Sequence, residues 1–192
     1  MTDLARRPAP EALAPYYRAY VERVPDGSVL DTLRRQIGET AALLRGFGPD
    51  RGDHAYAPGK WTVKEAAAHL IDTERIFGVR ALRLGRGDRT PLPGFDQDAY
   101  VAALSLSGRT VDELADEFER LRASTVDLFA SLPADALVRV GAASGHDLSA
   151  RAAGWIVVGH ERHHLAIVRE RYLGLEGPGR RRPASASDTP TR

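Results

Sequence analysis

His160 and His164 stand four residues apart in Gly159-His160-Glu161-Arg162-His163-His164. A helix turns by about 100° per residue, so an i,i+4 pair sends two imidazoles from one face, close enough to share a metal ion. That face reads Ala153, Val157, His160, His164 and Ile167, a 4-3-4-3 spacing in which the histidines stand where core residues should. A pair needs a third partner. His69, in Trp61-Thr62-Val63-Lys64-Glu65-Ala66-Ala67-Ala68-His69-Leu70-Ile71-Asp72, is the best candidate.

A single histidine on an apolar face is ordinarily a buried side chain hydrogen-bonded to a neighbour. Two in consecutive turns are harder to satisfy that way, because each buried imidazole needs a partner, whereas a cation satisfies the acceptor nitrogens directly. On the residues alone both readings stay open. His163 offers a competing i,i+3 partner for His160, but His164 keeps the stripe with Val157 and Ile167. His54 and His146 fall in loop-like stretches and read as surface residues.

The string His160-Glu161-Arg162-His163-His164 also spells HExxH, the zinc-protease motif in which the glutamate is the base. Such a site needs strands around its helix, and no alternating stretch here predicts them, so the spelling reads as coincidence. Asp72, Glu74 and Glu161 lie near the histidines and are either acceptors for ligand N–H groups or helix-surface charges. Glu65 is placed for a capping box with Thr62.

Four stretches have helical periodicity: about 28–45, 62–84, 110–131 and 149–172. The first carries Leu30, Leu33, Ile37, Thr40, Ala41 and Leu44 on one stripe, and the third carries Val111, Leu114, Phe118, Leu121, Thr125 and Leu128. Gly85 and Pro133 mark stops. Helices of about 20 residues are about 30 Å long, which predicts an all-α four-helix bundle. A shorter helix over 11–23 would cover one end or side. The 85–109 segment is long enough to run back along the bundle, so the helices it joins are free to lie parallel. It contains Gly85, Gly87, Pro91, Pro93 and Gly94 around Leu92 and Phe95, and reads either as a plain crossover or as the roof of a site. The expected organisation is an extension at 1–24, the bundle at 25–175 and a disordered Pro/Ser/Arg/Gly-rich tail at 176–192.

Composition narrows the functions. The 192 residues suit one domain, and 27 Lys plus Arg against 26 Asp plus Glu leave no large field to attract nucleic acid or an anionic membrane. With no cysteine, disulfides, a cysteine nucleophile and thiolate metal ligands are excluded, so a metal must be held by nitrogen and oxygen. Neither a signal-peptide pattern nor a long apolar span is evident, which predicts a cytoplasmic protein.

Pro58-Gly59-Lys60-Trp61-Thr62-Val63-Lys64-Glu65 leading into His69-Leu70-Ile71-Asp72-Thr73-Glu74-Arg75, followed later by Gly159-His160 and His164, resembles the DinB/YfiT-like superfamily of four-helix metalloproteins. The resemblance covers about residues 25–175. It implies that His69, His160 and His164 bind a divalent ion, often zinc or nickel, and that a homodimer is expected. Some relatives are thiol S-transferases using a low-molecular-weight thiol such as bacillithiol or mycothiol, which implies that activity here. The rivals are a hydrolase using metal-activated water, with Glu161 or Asp72 as proton acceptor, and a noncatalytic metal-binding stress protein. Three protein ligands leave a coordination position for water or substrate. Arg75, Arg80 and Arg162 are the cations available for a thiol's carboxylate, and the sequence does not choose among them.

Overall fold

Four long helices frame a computed structural model that describes residues 3–174: α2 (Val29–Arg45), α3 (Val63–Gly85), α5 (Val111–Ser131) and α7 (Ala150–Ile167). Short elements join them: α1 (Pro15–Val21), α4 (Gln97–Ala102), α6 (Ala134–Leu137), and a hairpin of β1 (Val140–Ala143) and β2 (His146–Ser149). The expected tail at 176–192 lies outside the described residues. Each long helix opens on a hydroxyl cap. Ser28, Thr62, Thr110 and Ser149 accept from backbone N–H groups of the first turn. Thr62/Glu65 and Thr110/Glu113 form full capping boxes, so Glu65 takes the capping role expected of it.

Around the bundle the order is α2, α5, α3, α7, which sets α2 diagonally across from α3. Helices α3 and α5 run parallel: Lys64 reaches the Leu106 carbonyl at one end, Glu74 meets Arg122 midway, and Gly85 abuts Leu132 at the other. The 85–109 segment provides that parallel crossover. Helix α7 runs antiparallel to α3, which brings residue 160 level with residue 69 although 91 positions separate them. Past Ile167 the last helix widens into a π-helical turn, Val168–Tyr172, and the Tyr172 hydroxyl donates to the Trp61 carbonyl at 2.6 Å.

The hairpin departs from the expectation of helices alone. Its strands are four residues each and Gly141-Ala142-Ala143 has no β-branched side chain, so no alternation betrays them. The local signal is Ser144-Gly145, a two-residue turn with both φ values positive, 53° and 77°. Leu92 bridges to Ala143, its N–H donating to Ala142 O at 2.9 Å, which fixes the 85–109 segment to the hairpin.

Two apolar clusters fill the bundle. One gathers Leu33, Phe77, Phe129 and Trp155, and the other Leu44, Val63, Phe118 and Tyr172. Between them every long helix contributes buried polar side chains: Gln36 and Thr40; His69, Thr73 and Glu74; Arg122 and Thr125; His160 and Glu161. The bundle is thus cut at mid-height by a polar layer, and the histidines lie within it. On α5 the stripe drifts from the expected one, with Arg122 fully buried and Leu121 only partly so.

Candidate metal centre

His69 projects from the second turn of α3, His160 and His164 from successive turns of α7. The Nε2 atoms of His69 and His160 are 3.0 Å apart, and one nitrogen from each of the three rings lies within 4.8 Å of the others. A tetrahedral ion with metal–nitrogen bonds near 2.05 Å separates its ligand nitrogens by about 3.4 Å, so the cluster fits one ion with small side-chain adjustments. The donor set agrees. Burial lowers His69 to about 4 and His164 to about 3, and holds His160 well below the ordinary imidazole range, so all three are neutral at pH 7 with lone pairs to offer. One hydrogen bond between His69 and His160 would leave the third ring unaccounted for. A divalent ion would engage all three.

The other histidines give no nitrogen to this cluster, although the His163 ring lies 5.1 Å from that of His164. His54 and His146 are exposed, as expected, and His163 packs half-buried against Tyr20, 5.3 Å between ring centroids. The stripe argument for His164 over His163 is met by the geometry.

The nearby acids do other things. Glu74 accepts two hydrogen bonds of 2.7 Å from Arg122, and Glu161 accepts from Thr40 while its second oxygen lies 2.6 Å from Arg122 in a close ion contact. Burial pushes the Glu161 carboxyl up, opposed by Arg122 and Thr40. Glu161 is therefore not a surface charge: it is held by Thr40 and Arg122 and anchors the helix to α2 and α5. Asp72 pairs with Arg75 on the surface. The HExxH reading is not favoured by this geometry, since its glutamate is engaged by Arg122 and Thr40.

Two cavities border the cluster. One, of about 280 Å³, is lined by His69, His160, Thr73, Phe77, Phe95 and Tyr17 among others. The second, of about 560 Å³, touches His164, Trp61, Lys60, Asp98 and Tyr172. Gln97, at the start of α4, lines both. The 85–109 segment is thus a wall of the site as well as a crossover. Helix α1 supplies another wall by crossing α7 at Gly159, where a Cβ would come 2.0 Å from the Tyr20 carbonyl oxygen. That approach sets the Tyr20 ring edge-on against His160 at 5.3 Å. Gln97, Asp98, Tyr16, Tyr17 and Tyr20 went unnoticed in the sequence because they lie on short helices with no periodic signal. The Asp96 cap before α4, which accepts from Asp98 and Ala99, was the available clue.

The family model for the DinB superfamily matches residues 32–168. The chain belongs to the DinB superfamily. The match spans α2 to the end of α7, with all three histidines inside it. Among solved structures, YfiT from Bacillus subtilis, described as "a probable metal-dependent hydrolase with an unusual four-helix bundle topology", superposes with a TM-score of 0.62 at 18% identity. The alignment covers 91% of this chain and 100% of that one, and shows a shared fold. No curated protein matches the chain. Among the described residues no helix is long and apolar enough to cross a membrane.

Proposed function

We propose that this DinB-superfamily protein is a divalent-metal-dependent enzyme acting on small molecules, with His69, His160 and His164 as the metal ligands. The observation that carries the reading is the convergence of three neutral imidazoles, two buried and the third half-buried, on a spot bordered by two cavities. Imidazole donors suit zinc or nickel. A divalent ion held there would act as a Lewis acid, lowering the pKa of a thiol or water bound to it.

Within that class the arrangement favours transfer of a low-molecular-weight thiol to an electrophile. Two cavities meeting at one centre provide for two reactants, a thiol with its sulfur at the histidines and an electrophile beside it. The chain supplies no cysteine, so the nucleophilic sulfur would come from the cosubstrate. Trp61, 4.7 Å from the His69 ring, and Tyr20 against His160 shield the ligands from water and hold their rings. Zinc-loaded protein should conjugate bacillithiol, mycothiol or glutathione to a chromogenic electrophile, and the metal-free protein should not. Absence of metal-dependent conjugation with every thiol would sink this reading.

Hydrolysis is the second reading, suggested by the description of YfiT and by Asp98, whose carboxylate borders the larger cavity near His164. Asp98 takes the proton-acceptor role, since Glu161 is engaged by Arg122 and Thr40 and Asp72 pairs with Arg75. Ester turnover without thiol, lost in Asp98→Asn, would support it over transfer.

A further inference from the structure

Arg80 is 2% exposed, yet it pairs with no carboxylate among the described residues. The other two candidate arginines are committed elsewhere. Arg75 bridges Asp72 and Glu117 at the surface, and exposed Arg162 donates to the Arg23 carbonyl. Arg80 donates only to neutral oxygens: Pro93 O and Ser144 Oγ at 2.9 Å each, and the Tyr17 hydroxyl at 3.3 Å. Its plane lies 4.9 Å from the Phe77 ring centre and 5.9 Å from that of Phe95. Burying a whole positive charge without a counter-ion is costly, and an anion brought by a ligand removes that cost.

The surroundings point the same way. Tyr16, Tyr17 and Ser144 all line the 280 Å³ cavity whose other end is formed by His69 and His160. The Tyr17 and Ser144 hydroxyls accept from Arg80 and also hydrogen-bond with the Tyr16 hydroxyl, so the three form one polar group beside the guanidinium. The Tyr16 hydroxyl sits beside both, and burial first of all raises it, keeping it protonated. Ser144 holds a left-handed φ of 53°, the one non-glycine among the described residues to do so. Such strain is tolerated where the surrounding structure requires it. Thr73 Oγ1, on the same cavity wall, is buried without a hydrogen-bond partner, so the cavity presents a second polar atom to an occupant.

His69, Thr73, Phe77 and Arg80 follow one another at 4-4-3 spacing on one face of α3. The eleven-position step from His69 to Arg80 corresponds to about three turns, or about 16 Å of rise. We propose that the hydroxyls of Tyr16, Tyr17 and Ser144, which line the cavity, and the buried Arg80 directly behind them form a carboxylate-binding subsite, so that the cavity takes an elongated monocarboxylate with an apolar or aromatic middle. A single negative charge matches the single guanidinium, which favours a carboxylate over a phosphate dianion. The middle of the ligand packs against Phe77, Phe95 and Ile156. That its far end carries the reacting atom rests on the metal-site reading; the subsite itself does not.

The test uses 3-phenylpropanoate and its neutral amide, titrated calorimetrically into metal-free full-length protein. The acid should bind at least tenfold more tightly than the amide, and Arg80→Met should erase the difference. Because Arg80 also ties down Pro93, folding of that variant is checked by circular dichroism, and Ser144→Ala and Tyr17→Phe, each expected to weaken the acid several-fold, carry the test if it fails to fold. Equal binding of acid and amide, or an undiminished preference in these variants, overturns the subsite. Zinc-loaded protein then receives 3-(4-mercaptophenyl)propanoate, whose thiol should add a further tenfold or more. If the thiol adds nothing while the acid preference persists, the subsite stands and the metal reading falls.

Discussion

His69 and His160 face each other Nε2 to Nε2 at 3.0 Å, from antiparallel helices whose sequences place them 91 residues apart. The contact depends on α3 and α7 being adjacent and on α7 being held in one register. Gly159 and Glu161, the two residues flanking His160, hold that register in different ways. Each gives a separable prediction.

Gly159→Ala is expected to destabilise the fold by about 1–3 kcal/mol, although alanine is the better helix former by about 1 kcal/mol. The added methyl meets the Tyr20 backbone at 2.0 Å, and α1 must move away. Thermal unfolding reads the effect. Because Tyr16, Tyr17 and Tyr20 move with α1, ligand binding should weaken along with stability.

Removing the Arg122 guanidinium leaves Glu74 and Glu161 buried without their cation. Arg122→Met should cost about 3–5 kcal/mol in denaturant unfolding, by the usual penalty for breaking one partner of a buried pair. A loss below about 1 kcal/mol would show that the polar layer does not depend on this pair.

Glu161→Gln separates the structural from the catalytic reading of HExxH. The amide still reaches Thr40 and Arg122, so the protein should fold with reduced stability and keep its turnover within about threefold. In a zinc protease the same change removes the base and costs on the order of a hundredfold or more. A loss of that size with an intact fold would restore the protease-like role.

The metal-free protein should lose stability as pH falls below about 6.5. Burial depresses His69 to about 4 and His164 to about 3, so between those values and the ordinary imidazole range the unfolded chain takes up protons that the native one does not. Stability is full above about 6.5 and declines from there towards 3, by up to about 1.4 kcal/mol per pH unit for each site. Melting temperatures from pH 7.5 to 4.5 would show this, and His164→Phe should flatten the slope.

Much of the site was legible because it obeys local rules. The 3.6-residue spacing marked the four helices, with Thr62 as the cap of the second, and the same spacing put His160 and His164 on one face and ranked His164 above His163. Arg122 and Glu161 were not legible. Each is a charged residue whose burial depends on a partner from another helix, and no one-helix pattern reveals it. Glu161 consequently looked like a surface charge or a base when it is a strut. The hairpin gave no strand signal because Val140 is its one β-branched residue, and with it Ser144 went unread. Arg80 was only one of three arginines until the structure showed which was buried without an acid.

The central claim is that three histidines from two helices hold one divalent ion. Its most direct test is elemental analysis of purified protein after incubation with zinc and gel filtration, for the wild type and for His160→Ala. The account predicts one ion per chain in the wild type, lost in the variant while its circular dichroism stays helical. Unchanged metal content in His160→Ala, or none in the loaded wild type, would contradict it.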